Sequence, residues 1–175
     1  MIMKGELKLK KILFICTGNT CRSPMAEAFF NDLVQKDDIL RNKYHAVSAG
    51  ISTIDGIEAS ANAQSIMDSE WQIDISTHRS CYVSSENVGE AFLILTMSQT
   101  HKEFLLENFP DSSGKTCVLK EYIYDPQKSG GEEGQAQNPE ISDPYGLPLE
   151  VYKDCANELL EAIKALIDKL KSQQE

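Results

Sequence analysis

The stretch Lys11–Phe30, KILFICTGNTCRSPMAEAFF, changes its pattern once. KILFIC is short, apolar and rich in β-branched residues, as expected of a buried strand. After Cys16 the chain turns polar for five residues. Ser23-Pro24 then opens a segment in which Met25, Ala28, Phe29 and Leu33 recur at helical spacing. Ser23 reads as the N-cap of that helix and Pro24 as its first residue. Strand, tight turn and helix together make the first half of a βαβ unit.

The same alternation continues along the chain. YHAVSAG, from Tyr44 to Gly50, reads as a second strand, and Ser60 to Trp71 as a helix that Ser60 could cap. AFLILTM, from Ala91 to Met97, is the strongest strand; a helix follows to Phe109, and Pro110 stops what comes after it. KTCVLKEY, from Lys115 to Tyr122, reads as a fourth strand, and Leu149 to Lys171 as a long amphipathic helix. Alternating strands and helices predict an α/β fold: a three-layer sandwich with a central four-stranded parallel sheet. Residues 1–175 form a single domain in this reading. The Gly-, Gln- and Glu-rich segment 125–142 reads as a mobile loop within it. Ligands of such sheets bind at the carboxyl ends of the strands, which is where Cys16 falls.

Composition narrows the function classes. The 175 residues are 41% hydrophobic and 25% charged, typical of a soluble globular domain. The formal net charge of −10 makes nucleic acid and anionic membrane poor partners, while leaving room for one local anion site. No secretory leader and no apolar run of spanning length is visible, so the expected compartment is the cytoplasm. Five scattered cysteines do not form a disulfide framework. There is no CxxC pair, and His45, His78 and His101 lack ligand spacing, so neither metal nor cofactor is expected.

The chemistry lies in Cys16-Thr17-Gly18-Asn19-Thr20-Cys21-Arg22-Ser23. A short turn before a helix lets successive backbone N–H groups converge on one centre, and the helix adds its positive end. Gly18 permits φ > 0, and Asn19 tolerates a left-handed conformation. Arg22 offers a planar fork for two phosphate oxygens. A cysteine in the same positive field is favoured as the thiolate, and Ser23 can donate to it. The pattern points to a thiolate nucleophile beneath a bound phosphoryl group. A Walker A loop is excluded, because no Gly-Lys-Ser/Thr is present.

CTGNTCRSP resembles the signature loop of the low-molecular-weight protein-tyrosine phosphatases. SAG at Ser48–Gly50, Asp74–Ser80, Ile94–Met97 and DPYG at Asp143–Gly146 follow in family order. The resemblance implies that Cys16 is the nucleophile, Arg22 the phosphate clamp and Ser23 the thiolate stabiliser. It implies too that Asn19 braces the loop, held by Ser48 and His78. A leaving group needs a proton that a thiolate cannot supply. Of the two Asp-Pro pairs, Asp125 and Asp143, the second lies where the family keeps its general acid, with Tyr145 after it as an aromatic pocket wall.

Thr20 bears on the substrate. Tyrosine-directed members commonly carry Ile there, packing against a phenyl ring. A threonine leaves room for something more polar, and the bacterial protein-arginine phosphatases of the family carry this same loop. The resemblance therefore implies a protein phosphatase acting on phosphoarginine, with protein-tyrosine phosphatase as the alternative. Tyr145, where that branch is expected to have Phe, is a departure. An arsenate reductase would need two further closely spaced cysteines, absent after the third strand. A non-enzymatic phosphate-binding or phosphotransfer module would need no acid. Cys21 is read either as the partner of a reversible Cys16–Cys21 disulfide or as a small packing residue. Cys81, Cys117 and Cys155 are expected to pack. The expected molecule is a monomer whose partners are phosphorylated proteins.

Overall fold

Residues 9–125 and 138–173 are described by a computed structural model. The elements in chain order are β1 (Lys10–Cys16), α1 (Arg22–Gln35), β2 (Tyr44–Gly50), α2 (Ala61–Trp71), α3 (Ser85–Glu90), β3 (Ala91–Thr96), α4 (Gln99–Asn108), β4 (Thr116–Val118), α5 (Leu119–Ile123) and α6 (Leu149–Ser172). The four strands are parallel in the order β2-β1-β3-β4, so the expected three-layer sandwich is the observed one.

Period-two alternation along β1 builds two cores. Ile12, Phe14 and Cys16 face the layer of α1, α2, α5 and α6, while Leu13 and Ile15 face α3 and α4. Helix α6 supplies Cys155, Leu159, Ile163, Leu166 and Leu170 to the first core, all fully buried and at helical spacing. The chain leaves β1 for α1 over one face and leaves β3 for α4 over the other. The carboxyl ends of β1 and β3 therefore flank a crevice at the switch point.

Three expectations need correction. The fourth strand is only Thr116–Val118; after Val118 the β-branched run ends, and Leu119-Lys120-Glu121-Tyr122 turns into α5. Helix α1 starts at Arg22 with Cys21 as its N-cap, and Ser23 does not cap it because the Ser23 hydroxyl is engaged with Cys16 and Asn19. Pro24 is therefore third in the helix, where its missing N–H still removes only an orphan donor. Of the two turn residues suited to a positive φ, Asn19 takes it, at 53°. Of segment 125–142, residues 126–137 lie outside the described residues, but its end is held in place: Ile141 is buried, and its N–H donates to the Met97 carbonyl at 2.9 Å.

Helix α3 went unforeseen: six residues are too few for a period, although Ser84 and Asn87 form a reciprocal capping box. Ser60 caps α2 as expected, accepting from the Ala63 N–H. Among the described residues no helix is long and apolar enough to cross a membrane.

Candidate active site

The turn after β1 wraps around the Cys16 sulfur. The Asn19 N–H donates to Sγ at 3.2 Å, and Ser23 Oγ lies 2.9 Å from it. Ser23 Oγ also accepts from Asn19 Nδ2 at 2.9 Å, which leaves the hydroxyl proton for the sulfur. Two hydrogen-bond donors thus converge on one sulfur. The 14-residue helix α1 begins at Arg22 and directs its positive end at the same centre.

Asn19 holds the turn in its left-handed conformation by using every polar atom it has. Its Nδ2 donates to Ser48 Oγ as well as to Ser23. Its Oδ1 accepts from the Cys81 N–H at 2.8 Å, and its carbonyl accepts from His78 Nε2 at 2.8 Å. Behind it, Ser48 donates to Glu27. Burial pushes the Glu27 carboxyl above its usual range, against the opposing pull of Ser48 and His78. Gly50, paired with Cys16 across the sheet, lets the turn lie close: a Cβ there would sit 2.7 Å from the Thr17 carbonyl oxygen.

In front of this scaffold lies a pocket of 520 Å³, in which Cys16, Thr17, Gly18, Thr20, Cys21 and Arg22 meet Asp143 and Tyr145. Arg22 is buried; one terminal nitrogen donates to Asp143 Oδ2 at 2.8 Å and the other to the Ile141 carbonyl at 3.4 Å. Asp143 is half exposed at the mouth, and its Oδ1 accepts the Tyr145 N–H at 3.2 Å. Tyr145 itself is 75% exposed on the rim. Of the residues singled out in the sequence, eight thus line one pocket, and Asn19, Ser23, Ser48 and His78 stand behind it.

Part of the wall carries no motif in the sequence. Ser52, Thr53, Ile57, Glu58 and Ser60, from the loop after β2, complete the pocket. That loop leaves the carboxyl end of a strand beside β1, and this position was the available signal. Glu58 brings a second carboxylate, itself paired with Arg79 at 3.2 Å. His101 likewise belongs to no motif; burial, then the Arg22 charge, lower it to about 4 against the pull of Asp143.

All five cysteines are free. The Cys21 thiol lies 3.4 Å from both Ser60 Oγ and the Tyr152 hydroxyl. Burial and Cys21 push Tyr152 up to about 12, so it stays a neutral phenol. Burial, with Glu158 next, likewise raises Cys155 to about 12, which makes it an inert packing thiol whose S–H donates to the Ser142 carbonyl.

The site can seat a tetrahedral oxyanion against amides and a guanidinium, with the Cys16 sulfur below and a carboxyl group at the mouth. Comparison with known proteins points the same way. The family model for low molecular weight phosphotyrosine protein phosphatase matches residues 11–175. A protein-arginine-phosphatase of Geobacillus stearothermophilus is 36% identical over 94% of this chain and 98% of its own. The solved structure of the YwlE arginine phosphatase from that organism aligns with a TM-score of 0.79 at 35% identity, covering 94% of this chain and 95% of that one. The crystal structure of a low molecular weight protein tyrosine phosphatase from T. tengcongensis aligns with a TM-score of 0.78 at 40% identity, covering 91% and 99%.

Proposed function

The chain belongs to the low molecular weight phosphotyrosine protein phosphatase family, and from that premise we propose that it removes phosphate from phosphoarginine in proteins. The observation that carries the substrate class is the make-up of the pocket. Thr20 stands where a branched apolar side chain would face a phenyl ring, and Asp143 and Glu58 bring two carboxylates to the lining. A guanidine leaving group fits such walls better than a phenol does, because the Glu58 carboxylate attracts it and Asp143 and the hydroxyls hydrogen-bond it. The protein-arginine-phosphatase relative supports the same reading.

In this reading Cys16 Sγ attacks phosphorus in line, and the phosphorus–nitrogen bond breaks as the sulfur–phosphorus bond forms. Asp143 gives its proton to the departing guanidine nitrogen, while Arg22 and the amides of residues 17–22 take up charge on the equatorial oxygens. Asp143, now a base, takes a proton from water, which attacks phosphorus and releases phosphate and the Cys16 thiolate. Ser23 stabilises that thiolate, and Asn19, Ser48 and His78 hold the cradle open. The five free thiols support a reducing, cytoplasmic setting. The molecule acts as a monomer on phosphorylated proteins.

A second reading, protein-tyrosine phosphatase, is favoured by the 40% identical structure and by the apolar Ile57 and Tyr145 in the wall. Side-by-side kinetics on phosphoarginine and phosphotyrosine peptides decide between them, with Cys16→Ser as the blank. Wild type is expected to prefer phosphoarginine. Thr20→Ile should shift the ratio of kcat/KM toward phosphotyrosine by about tenfold or more, the scale of a few methyl contacts in a pocket. A wild type active only on phosphotyrosine sinks the arginine reading.

A further inference from the structure

His101 is a buried titratable group that the mechanism does not use. It sits in the first turn of α4 and is 3% exposed. Its Nε2 lies 2.8 Å from Thr17 Oγ1, and its Nδ1 lies 2.8 Å from Ser98 Oγ. Thr17 follows the nucleophile directly and lines the pocket that holds Cys16, Arg22 and Asp143. Ser98 is the N-cap of α4. The chain Ser98–His101–Thr17 therefore ties the corner after β3 to the corner after β1, across the switch point.

Donor and acceptor counts give this chain a direction. Ser98 Oγ accepts the His101 backbone N–H at 3.4 Å; donating to Nδ1 gives its own buried proton an acceptor, whereas accepting a second time from Nδ1–H would leave that proton without one among the described residues. A neutral imidazole that accepts at Nδ1 carries its proton on Nε2 and donates it to Thr17 Oγ1. The ring is neutral, because burial and Arg22 lower its proton affinity; the positive end of α4 acts in the same sense. Thr17 Oγ1, as acceptor from His101, keeps its own proton for another partner. The opposite tautomer would make Ser98 Oγ accept twice and consume the Thr17 proton on Nε2. The Thr17 backbone is fixed separately, since its carbonyl accepts from the Ser52 N–H at 2.9 Å. Only the hydroxyl depends on His101.

We propose that His101 is a positioning residue of the phosphoryl cradle, orienting the Thr17 hydroxyl through the Ser98–His101–Thr17 chain so that it donates to an equatorial oxygen of the bound phosphoryl group. The inference rests on the phosphatase reading and adds to it a side-chain donor beside Arg22 and the amides.

A double-mutant cycle tests it. The readouts are kcat/KM on p-nitrophenyl phosphate and the inhibition constant of inorganic phosphate, neither of which depends on the phosphorylated amino acid. Thr17→Val and His101→Leu are each expected to lower kcat/KM about 10- to 100-fold, the loss of one charge-assisted hydrogen bond. The double variant should lose no more than either single one. His101→Gln, whose amide N–H can reach Thr17, should recover most of the loss. Additive losses, or a His101→Gln variant as weak as His101→Leu, overturn the proposal, as does a His101→Leu variant with wild-type kcat/KM. If His101→Leu does not fold, Ser98→Ala takes its place: it should weaken phosphate inhibition in the wild type and leave Thr17→Val unchanged, and equal effects in both overturn the proposal. A wild type inert on phosphate esters and phosphoarginine alike would instead strike down the phosphatase reading.

Discussion

At the scale of single residues, the site depends on how closely two backbones approach. Gly50 permits this, because the space a Cβ would take is filled by the Thr17 carbonyl oxygen 2.7 Å away and the Asn19 nitrogen 3.0 Å away. Neither neighbour can yield: the Thr17 carbonyl binds Ser52, and the Asn19 N–H points at Cys16 Sγ. Gly50→Ala is therefore expected to cost about 1–3 kcal/mol of stability, the usual scale of overpacking. It should also lower kcat, since the strain falls on the turn carrying Cys16. Thermal unfolding and kcat on a common phosphate ester check this, and a fully active variant with an unchanged Tm refutes the close-approach argument. Cys16, Arg22 and Ser23 were readable from the sequence because their geometry comes from one continuous turn. Gly50 and Glu58 were not, because their roles arise only when the loop after β2 is brought against that turn.

At the scale of elements, β1 and β3 were readable because runs buried on both faces carry a strong apolar signal, while β2, an edge strand half-buried at His45, Val47 and Ser48, showed as a short segment closed by Gly50. β4 was overextended: a three-residue edge strand leaves too short a pattern to separate from the helix that follows. The element that matters most for the site is one no period reveals, the segment 138–143 that carries Asp143. It is fastened from above by α6. Glu158 accepts from the Ser142 N–H at 3.1 Å and from the Ser142 hydroxyl at 2.7 Å, and pairs with Lys120. Burial pushes the Glu158 carboxyl up, but the hydrogen bonds from Lys120 and Ser142 outweigh it and leave the group below its ordinary 4.5. A depressed folded-state value means the unfolded chain binds its proton more readily. The stabilisation is therefore present above pH 4.5 and is lost as pH falls below that value toward the folded-state one. Glu158→Gln should accordingly flatten part of the acid limb of the stability–pH curve below pH 4.5, while lowering stability at neutral pH. Urea unfolding across pH measures both. An acid limb identical to wild type shows that the Glu158 anchor does not act.

At the scale of the whole molecule, the formal charge of −10 surrounds a site whose cation, Arg22, is buried. An approaching phosphopeptide meets the negative field first, with Asp143 and Glu58 at the mouth, and reaches the cradle only at contact distance. The field thus sorts substrates by what flanks the phosphorylated residue: basic flanks are drawn in and acidic flanks held off. Screening weakens both effects, since the Debye length falls from about 30 Å at 0.01 M salt to about 8 Å at 0.15 M. Over that range, kcat/KM for a phosphoarginine peptide with acidic flanks should rise roughly threefold or more, and that for a basic-flanked peptide should fall by a similar factor. Glu58→Gln separates the local part from the global one. If the mouth carboxylates dominate, the variant narrows the gap between the two peptides at low salt; if the net charge dominates, the gap persists. Two salt profiles of the same sign and slope rule out the field as a source of selectivity.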